Sequence, residues 1–112
     1  DDNGYVFNYT VTSFISSDNF NKYVDALDER KLYTTGVDIN SSDKLITLST
    51  CSYEFSDARL VVVGRMLRTG ETADVDTTYS VTNGNPHYPQ IWYDQNGKTN
   101  PYANADKWYP ES

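Results

Sequence analysis

Two apolar, β-branched stretches separated by only seven residues constrain this chain more than anything else in it. Leu45-Ile46-Thr47-Leu48-Ser49-Thr50-Cys51 and Arg59-Leu60-Val61-Val62-Val63-Gly64-Arg65-Met66-Leu67 both read as strands with buried positions, because branched and aliphatic side chains suit a pleated surface. Residues 52–58 are too few for a crossover and enough for an antiparallel hairpin. Such a hairpin puts Cys51, which ends one strand, near Arg59, which starts the next.

Upstream, Tyr5, Phe7, Tyr9 and Val11 alternate with Asn8, Thr10 and Thr12, so residues 5–15 are expected to form a strand with one buried face. Ser16-Ser17-Asp18 then offers side-chain oxygens for a helix N-cap, and Phe20, Tyr23, Val24 and Leu27 recur at helical spacing. The spacing predicts a helix over residues 18–30, closing at Arg30-Lys31, where the helix dipole favours positive charge. Gly36 and Asn40-Ser41-Ser42-Asp43 are turn chemistry. From Thr69 onward the pattern changes. Gly70, Asn83-Gly84-Asn85-Pro86, Asn96-Gly97 and Asn100-Pro101 punctuate the chain every few residues, so residues 69–112 are expected to form a loop-rich extension. Within it, residues 77–82 and 90–93 are candidates for short strands, and Trp92 and Trp108 are expected to pack onto the domain. With 112 residues, 14% of them aromatic and ten of those Tyr, the chain fits at most one domain of mainly β class.

Composition excludes several functions. The net charge is −7, and no Lys/Arg cluster is longer than Arg30-Lys31, so nothing stands ready to neutralise a row of phosphates and no nucleic-acid partner is expected. Apolar runs such as residues 60–63 fall far short of the roughly 20 residues that span a bilayer, and Asp1 does not open a signal-peptide pattern. Asp25, Asp28 and Glu29 crowd one helical stretch, but helix-surface acids are normally just solvated, and no metal site is expected. Cys51 is the only cysteine, so no internal disulfide forms. That leaves the question of what a single thiol is for.

A free cysteine at the end of an apolar strand is most often a buried, inert thiol. A guanidinium close to it changes the chemistry, because it favours a thiolate or donates hydrogen bonds to an oxygen that becomes negative when the thiolate attacks a carbonyl. For Arg59 the competing reading is a solvated charge paired with Glu54 or Asp57. The residues by themselves lead to a nucleophile with an electrophilic helper, and both readings stand.

Thr47-Leu48-Ser49-Thr50-Cys51 resembles the Thr-Leu-x-Thr-Cys signature of sortases, and Cys51-Ser52-Tyr53-Glu54-Phe55 followed by Arg59-Leu60-Val61-Val62-Val63-Gly64-Arg65 is similar to the strand, loop and strand that end the class B catalytic domain. The resemblance covers residues 5–68, including the expected helix and the stretch 32–37 that leads into the signature. It implies a sortase-type β-barrel, of which residues 1–68 would supply the C-terminal strands with one helix before the catalytic strand. It further implies a cysteine transpeptidase in which Cys51 attacks the carbonyl after the Thr of a sorting signal, Arg59 positions the substrate and stabilises the oxyanion, and Ser49 and Thr50 help line the substrate groove. The reaction so implied needs no cofactor. Its partners would be the sorting-motif peptide of a secreted protein and an amine of a cell-wall precursor or pilin, at the extracellular face of the cell membrane. Class B implies sorting motifs of the Asn-Pro-x-Thr or Ser/Pro-Pro-x-Thr-Gly kind.

The departure from the family is the histidine. Sortases are ordered His, Cys, Arg, whereas His87 follows both Cys51 and Arg59 and sits in the turn-rich Asn85-Pro86-His87-Tyr88-Pro89, where a solvated loop imidazole is expected. The catalytic histidine is therefore expected on an N-terminal part of the same domain outside this chain, and the chain alone is expected to be inactive. Two other functions compete. One is a non-catalytic, β-rich surface or adhesion module with a buried Cys51. The other is a cysteine hydrolase that folds His87 back over the hairpin.

Overall fold

The computed structural model describes residues 7–74 and 76–110. Its centre is the hairpin. Strand β2, Leu45–Cys51, pairs antiparallel with β3, Arg59–Arg65, in a register that sets Leu45 opposite Arg65 and Cys51 opposite Arg59. A second small sheet joins β1, Tyr33–Thr34, to β4, Val81–Thr82. Small antiparallel sheets and few helices therefore make up the architecture, and among the described residues no closed barrel forms.

Helix α1 runs over Ser17–Arg30, as its spacing predicts, and the Ser16 side chain accepts the Asn19 backbone N–H at its start. Its inward face carries Phe20, Tyr23 and Ala26, all buried. The covering layer is residues 7–14. Phe14 meets Phe20 edge-on at 5.2 Å and Tyr23 at 5.1 Å, while Phe7 stacks on Tyr23 at 5.8 Å with the Arg30 guanidinium 4.5 Å above its own ring. Burial of the Tyr23 phenol pushes its pKa up, the hydroxyl donating to the Tyr9 carbonyl at 2.9 Å.

That covering layer corrects an expectation. Residues 5–15 are expected as a strand; Tyr5 and Val6 lie outside the described residues, and residues 7–15 form no strand. Their alternation is nevertheless real: Phe7, Tyr9 and Val11 are half-buried, and Asn8, Thr10 and Thr12 are exposed. A ladder is what is missing, since the Asn8 carboxamide takes both the backbone N–H and the hydroxyl of Thr10 at 3.0 and 2.6 Å, and Tyr9 reaches β2 only through its hydroxyl, 3.0 Å from Ser49 Oγ. Residues 90–93 are likewise helix rather than strand: α2 spans Gln90–Gln95 and follows Pro89, whose fixed φ suits a helix start. Of residues 77–82 only Val81 and Thr82 pair, after a single 3₁₀ turn over Thr77–Tyr79. β3 stops at Arg65, short of the expected Leu67.

The tail satisfies backbone groups that α1 leaves open. The carbonyl of Glu29, in the last turn, accepts the His87 N–H at 2.8 Å, and the Lys31 and Leu32 carbonyls accept the Asn83 side-chain and backbone N–H groups, each at 2.8 Å. At Gly36, φ is +75°, and a Cβ there would stand 3.0 Å from that of Tyr79, so glycine is what lets the 3₁₀ turn lie against this bend. Trp92 packs within the tail, stacked at 4.0 Å on Tyr88 with Lys98 on its ring, rather than onto the hairpin.

The open end of β2 and β3 is clasped by charge. Arg68 grips the Asp43 carboxylate through two nitrogens at 2.9 and 2.7 Å and reaches Asp38 at 3.0 Å, while Arg65 binds Glu71 bidentately at 3.0 and 2.9 Å. The Arg68 guanidinium, with the Asn40 N–H, holds the Asp43 carboxyl well below the usual carboxylate range; Arg68 also lowers Asp38, and Arg65 lowers Glu71.

The hairpin's two faces differ. Val61, Val63 and Arg65 are half-buried on the face that Tyr9 and Tyr23 approach, but the opposite face leaves Ile46 63%, Leu48 60%, Leu60 44% and Val62 54% exposed. This is a contiguous apolar surface with no covering element among the described residues.

Ser16→Ala is expected to cost about 1 kcal/mol of stability through the lost cap, and Phe20→Ala about 3 kcal/mol through the cavity left in the aromatic cluster; urea unfolding measures both, and similar small losses for the two would mean that the cluster is not a packed core. The clasp predicts an acid limit. Carboxylates whose folded pKa is depressed stabilise the fold above their ordinary range, begin to lose that contribution as pH falls into it, and lose the rest as pH falls on through the depressed folded value. The unfolding midpoint should therefore drop between pH 7 and pH 3, and drop less in Arg68→Ala; equal drops would exonerate the clasp.

Candidate active site

Cys51 and Arg59 face each other across the last rung of the hairpin, and in an antiparallel pair directly opposite residues project to the same side. The Arg59 Nη1 donates to Cys51 Sγ at 2.6 Å. Both side chains are exposed, so the buried, inert thiol that a strand-end cysteine commonly is does not occur here. Nor does the competing reading of Arg59: among the described residues it forms no ion pair with Glu54 or Asp57.

The loop between the strands holds this pair in place. The Ser52 N–H bonds the Ala58 carbonyl at 3.0 Å, one step beyond the Cys51–Arg59 rung, and the Ala58 N–H bonds the Phe55 carbonyl at 3.1 Å. Asp57 takes a positive φ of 62°, a conformation aspartate tolerates better than most residues, and Ala58 is buried at the foot of the loop. The chain thereby curls around an open depression of about 550 Å³ lined by residues 51–59 and, from the tail, Gln95. Tyr53 stands on its rim, almost fully exposed.

Strand alternation separates the two remaining expected residues. Ser49, opposite Val61, shares the face of Cys51 and meets the Tyr9 hydroxyl. Thr50, opposite Leu60, lies on the other, apolar face. His87 is not the solvated imidazole expected of its loop. It is 8% exposed, stacked on Tyr102 at 4.3 Å, with Nδ1 3.7 Å from a Glu29 carboxylate oxygen, and it does not line the depression at Cys51.

Chemically, the site combines an accessible sulfur nucleophile with a planar array of N–H donors beside it, the pairing needed to attack a carbonyl and hold the oxyanion that results. Sequence reasoning missed two features. The clasp of Asp38, Asp43, Arg65, Arg68 and Glu71 was legible in principle, because the register that sets Leu45 opposite Arg65 brings Asp43 to the same end. Gln95 carried no local signal, since only the path of the tail brings it to the depression.

Comparison with known proteins gives one statement of kinship. The chain is 32% identical over 63 residues to Sortase B of Listeria monocytogenes, a match that takes in 54% of this chain and 26% of that protein. The chain thus spans about a quarter of the length of the curated relative it matches. No family model matches it, and no solved structure matches it significantly.

An exposed thiol makes one firm prediction: a disulfide reagent such as DTNB should titrate one equivalent per chain under native conditions, the same as in denaturant. A native value near zero would mean that Cys51 is sealed.

Proposed function

This chain is related to the sortases, with class B named by its relative, and from that premise we propose that it carries the nucleophile and the oxyanion-stabilising arginine of a cysteine transpeptidase. The observation that carries this reading is the 2.6 Å contact between Arg59 Nη1 and Cys51 Sγ at the loop end of the hairpin.

In the proposed reaction the Cys51 thiolate attacks the carbonyl carbon that follows Thr in a sorting signal. A C–S bond forms as the carbonyl electron pair moves to oxygen, and Arg59 donates hydrogen bonds to that oxyanion. Collapse breaks the peptide C–N bond, and the leaving amine takes a proton from a general acid. A guanidinium holds its proton too tightly for that task. His87, packed against Glu29 and Tyr102, is away from the depression. The proton therefore comes from a histidine on a further segment of the same domain. An acceptor amine of a cell-wall precursor or pilin then attacks the thioacyl carbon, returns its proton to that histidine and releases Cys51 as thiolate. The substrate is the sorting peptide of a secreted protein, with an Asn-Pro-x-Thr or Ser/Pro-Pro-x-Thr-Gly motif, and the reaction takes place at the extracellular face of the cell membrane. Ser49, on the Cys51 face, is the better placed of the two flanking residues to line the peptide groove.

The uncovered face of Ile46, Leu48, Leu60 and Val62 supports the need for a complement, since a β-rich segment laid over it would bury those side chains and extend the hairpin toward a barrel. The alternative, an adhesion module, loses its premise of a buried cysteine.

The test is a cleavage and transpeptidation assay of residues 1–112 with sorting peptides, alone and together with the histidine-bearing segment. No turnover is expected alone and turnover with the segment. In the active mixture Cys51→Ala should abolish the reaction, Arg59→Lys should lower kcat about 100-fold, and His87→Ala should leave it within about twofold. Turnover by the chain alone that vanishes in His87→Ala would overturn the reading and make His87 the acid.

A further inference from the structure

The depression at Cys51 has one wall that the hairpin does not supply. Residues 51–59 line it from the hairpin, and Gln95, the last residue of α2, lines it from the tail, 36 residues beyond Arg59 in the chain. We propose that Gln95 is a positioning residue for the substrate, hydrogen-bonding through its carboxamide the backbone of a peptide bound with its reactive carbonyl between Cys51 and Arg59. The proposal rests on the transpeptidase reading above and adds to it the part of the chain that no resemblance explains.

Three observations carry it. The first is that the backbone around Gln95 is held rather than loose. Buried Tyr93 donates from its hydroxyl to the Pro86 carbonyl at 3.1 Å and its own carbonyl accepts the Lys98 N–H at 2.9 Å, while the Asn96 carboxamide caps the Trp92 carbonyl at 2.7 Å and Asn100 reaches Gln90 at 3.0 Å. The block so formed is tied to α1 by the His87 N–H on the Glu29 carbonyl and by the two Asn83 bonds. Gln95 is therefore presented from a fixed support. The second is that its side chain is exposed and, among the described residues, spends neither its N–H groups nor its oxygen on the protein, unlike Gln90, which bonds Asp94 and Asn100. The third is chemical. A carboxamide is both donor and acceptor, the complement of a peptide unit, and it brings no further charge to the Cys51–Arg59 pair.

The hairpin also leaves this wall unserved. Cys51 and Arg59 engage the reacting carbonyl, and Tyr53 offers an aromatic edge at the rim, but residues 52–58 tie their inner backbone groups into the loop through the Ser52–Ala58 and Ala58–Phe55 bonds. An extended peptide crossing the depression needs a partner for at least one further N–H or C=O beside its scissile bond, and Gln95 lines the same depression with both kinds of bonding group uncommitted.

The experiment uses the active mixture of this chain with the histidine-bearing segment and a sorting peptide, and compares wild type, Gln95→Ala, Gln95→Asn and Cys51→Ala. Loss of one neutral hydrogen bond predicts that Gln95→Ala raises the peptide KM about three- to tenfold with kcat changed by less than twofold, and that Gln95→Asn, with a shorter amide, recovers part of the loss. Gln95→Ala should keep the wild-type unfolding midpoint, since the side chain bonds nothing in the fold. An unchanged KM in Gln95→Ala, with Cys51→Ala inactive, overturns the role of Gln95 and leaves the transpeptidase reading intact. Absence of turnover in the wild-type mixture, or turnover that survives Cys51→Ala, overturns the transpeptidase reading and this one with it.

Discussion

Everything proposed for this chain depends on the register of one antiparallel pair. With Leu45 opposite Arg65 and Cys51 opposite Arg59, the thiol and the guanidinium project to the same side of the last rung and meet at 2.6 Å. A slip of one residue would move the thiol to the face that carries Leu48 and Leu60 and leave the arginine behind. Both ends of the ladder resist such a slip. At one end the Ser52–Ala58 bond continues the pairing into the loop; at the other, Asp43 before β2 is gripped bidentately by Arg68 after β3, so sliding either strand would break that ion pair. Register is normally enforced by a buried face. Here, where one face is open, charge and the loop share that task.

The rest of the molecule is organised around the carboxyl end of α1. The aromatic cluster of Phe7, Phe14, Phe20 and Tyr23 fixes the helix against the covering layer of residues 7–14, and the carbonyls of Glu29, Lys31 and Leu32 then serve as the attachment points of the tail. A helix end with unmet carbonyls is a site of need, and the tail meets it with Asn83 and His87. The geometric consequence is that α2 ends at the rim of the Cys51 depression, so a residue remote in sequence becomes part of its lining.

The hairpin's outer face has the chemistry of an interior and the exposure of a surface. Ile46, Leu48, Leu60 and Val62 form a stripe that in water costs solubility and, if covered, would contribute the burial that this thinly packed chain otherwise lacks, since among the described residues only Phe20, Tyr23, Ala26, Ala58 and Tyr93 form its buried apolar core. Under the proposed function, a complementary β-rich segment is what would cover this face.

Local pattern sufficed wherever the deciding forces were local. Helix α1, with its cap at Ser16 and its end at Arg30, follows from spacing and side-chain capping, and β2 and β3 follow from β-branched runs joined by a short loop, which is also why the Cys51–Arg59 pair was legible before any coordinates. Residues 7–15 show the limit. Their alternation was read correctly as one inward and one outward set, yet alternation specifies faces and not partners, and no strand lies beside them to complete a ladder. Residues 90–93, aromatic and short, carried no period long enough to separate helix from strand, and Pro89 with the Tyr93–Pro86 bond decided for a helical turn. His87 was placed by its turn-rich neighbours as solvated and is instead buried, because a ring stacked on Tyr102 and a backbone bond to α1 are contacts between segments far apart in the chain. The sequence by itself determined helix α1, the β2–β3 hairpin and the pairing of Cys51 with Arg59. Tertiary structure alone decided which faces are covered, where the histidine lies and that Gln95 lines the depression at Cys51, because those outcomes depend on pairings between distant segments that no local periodicity encodes.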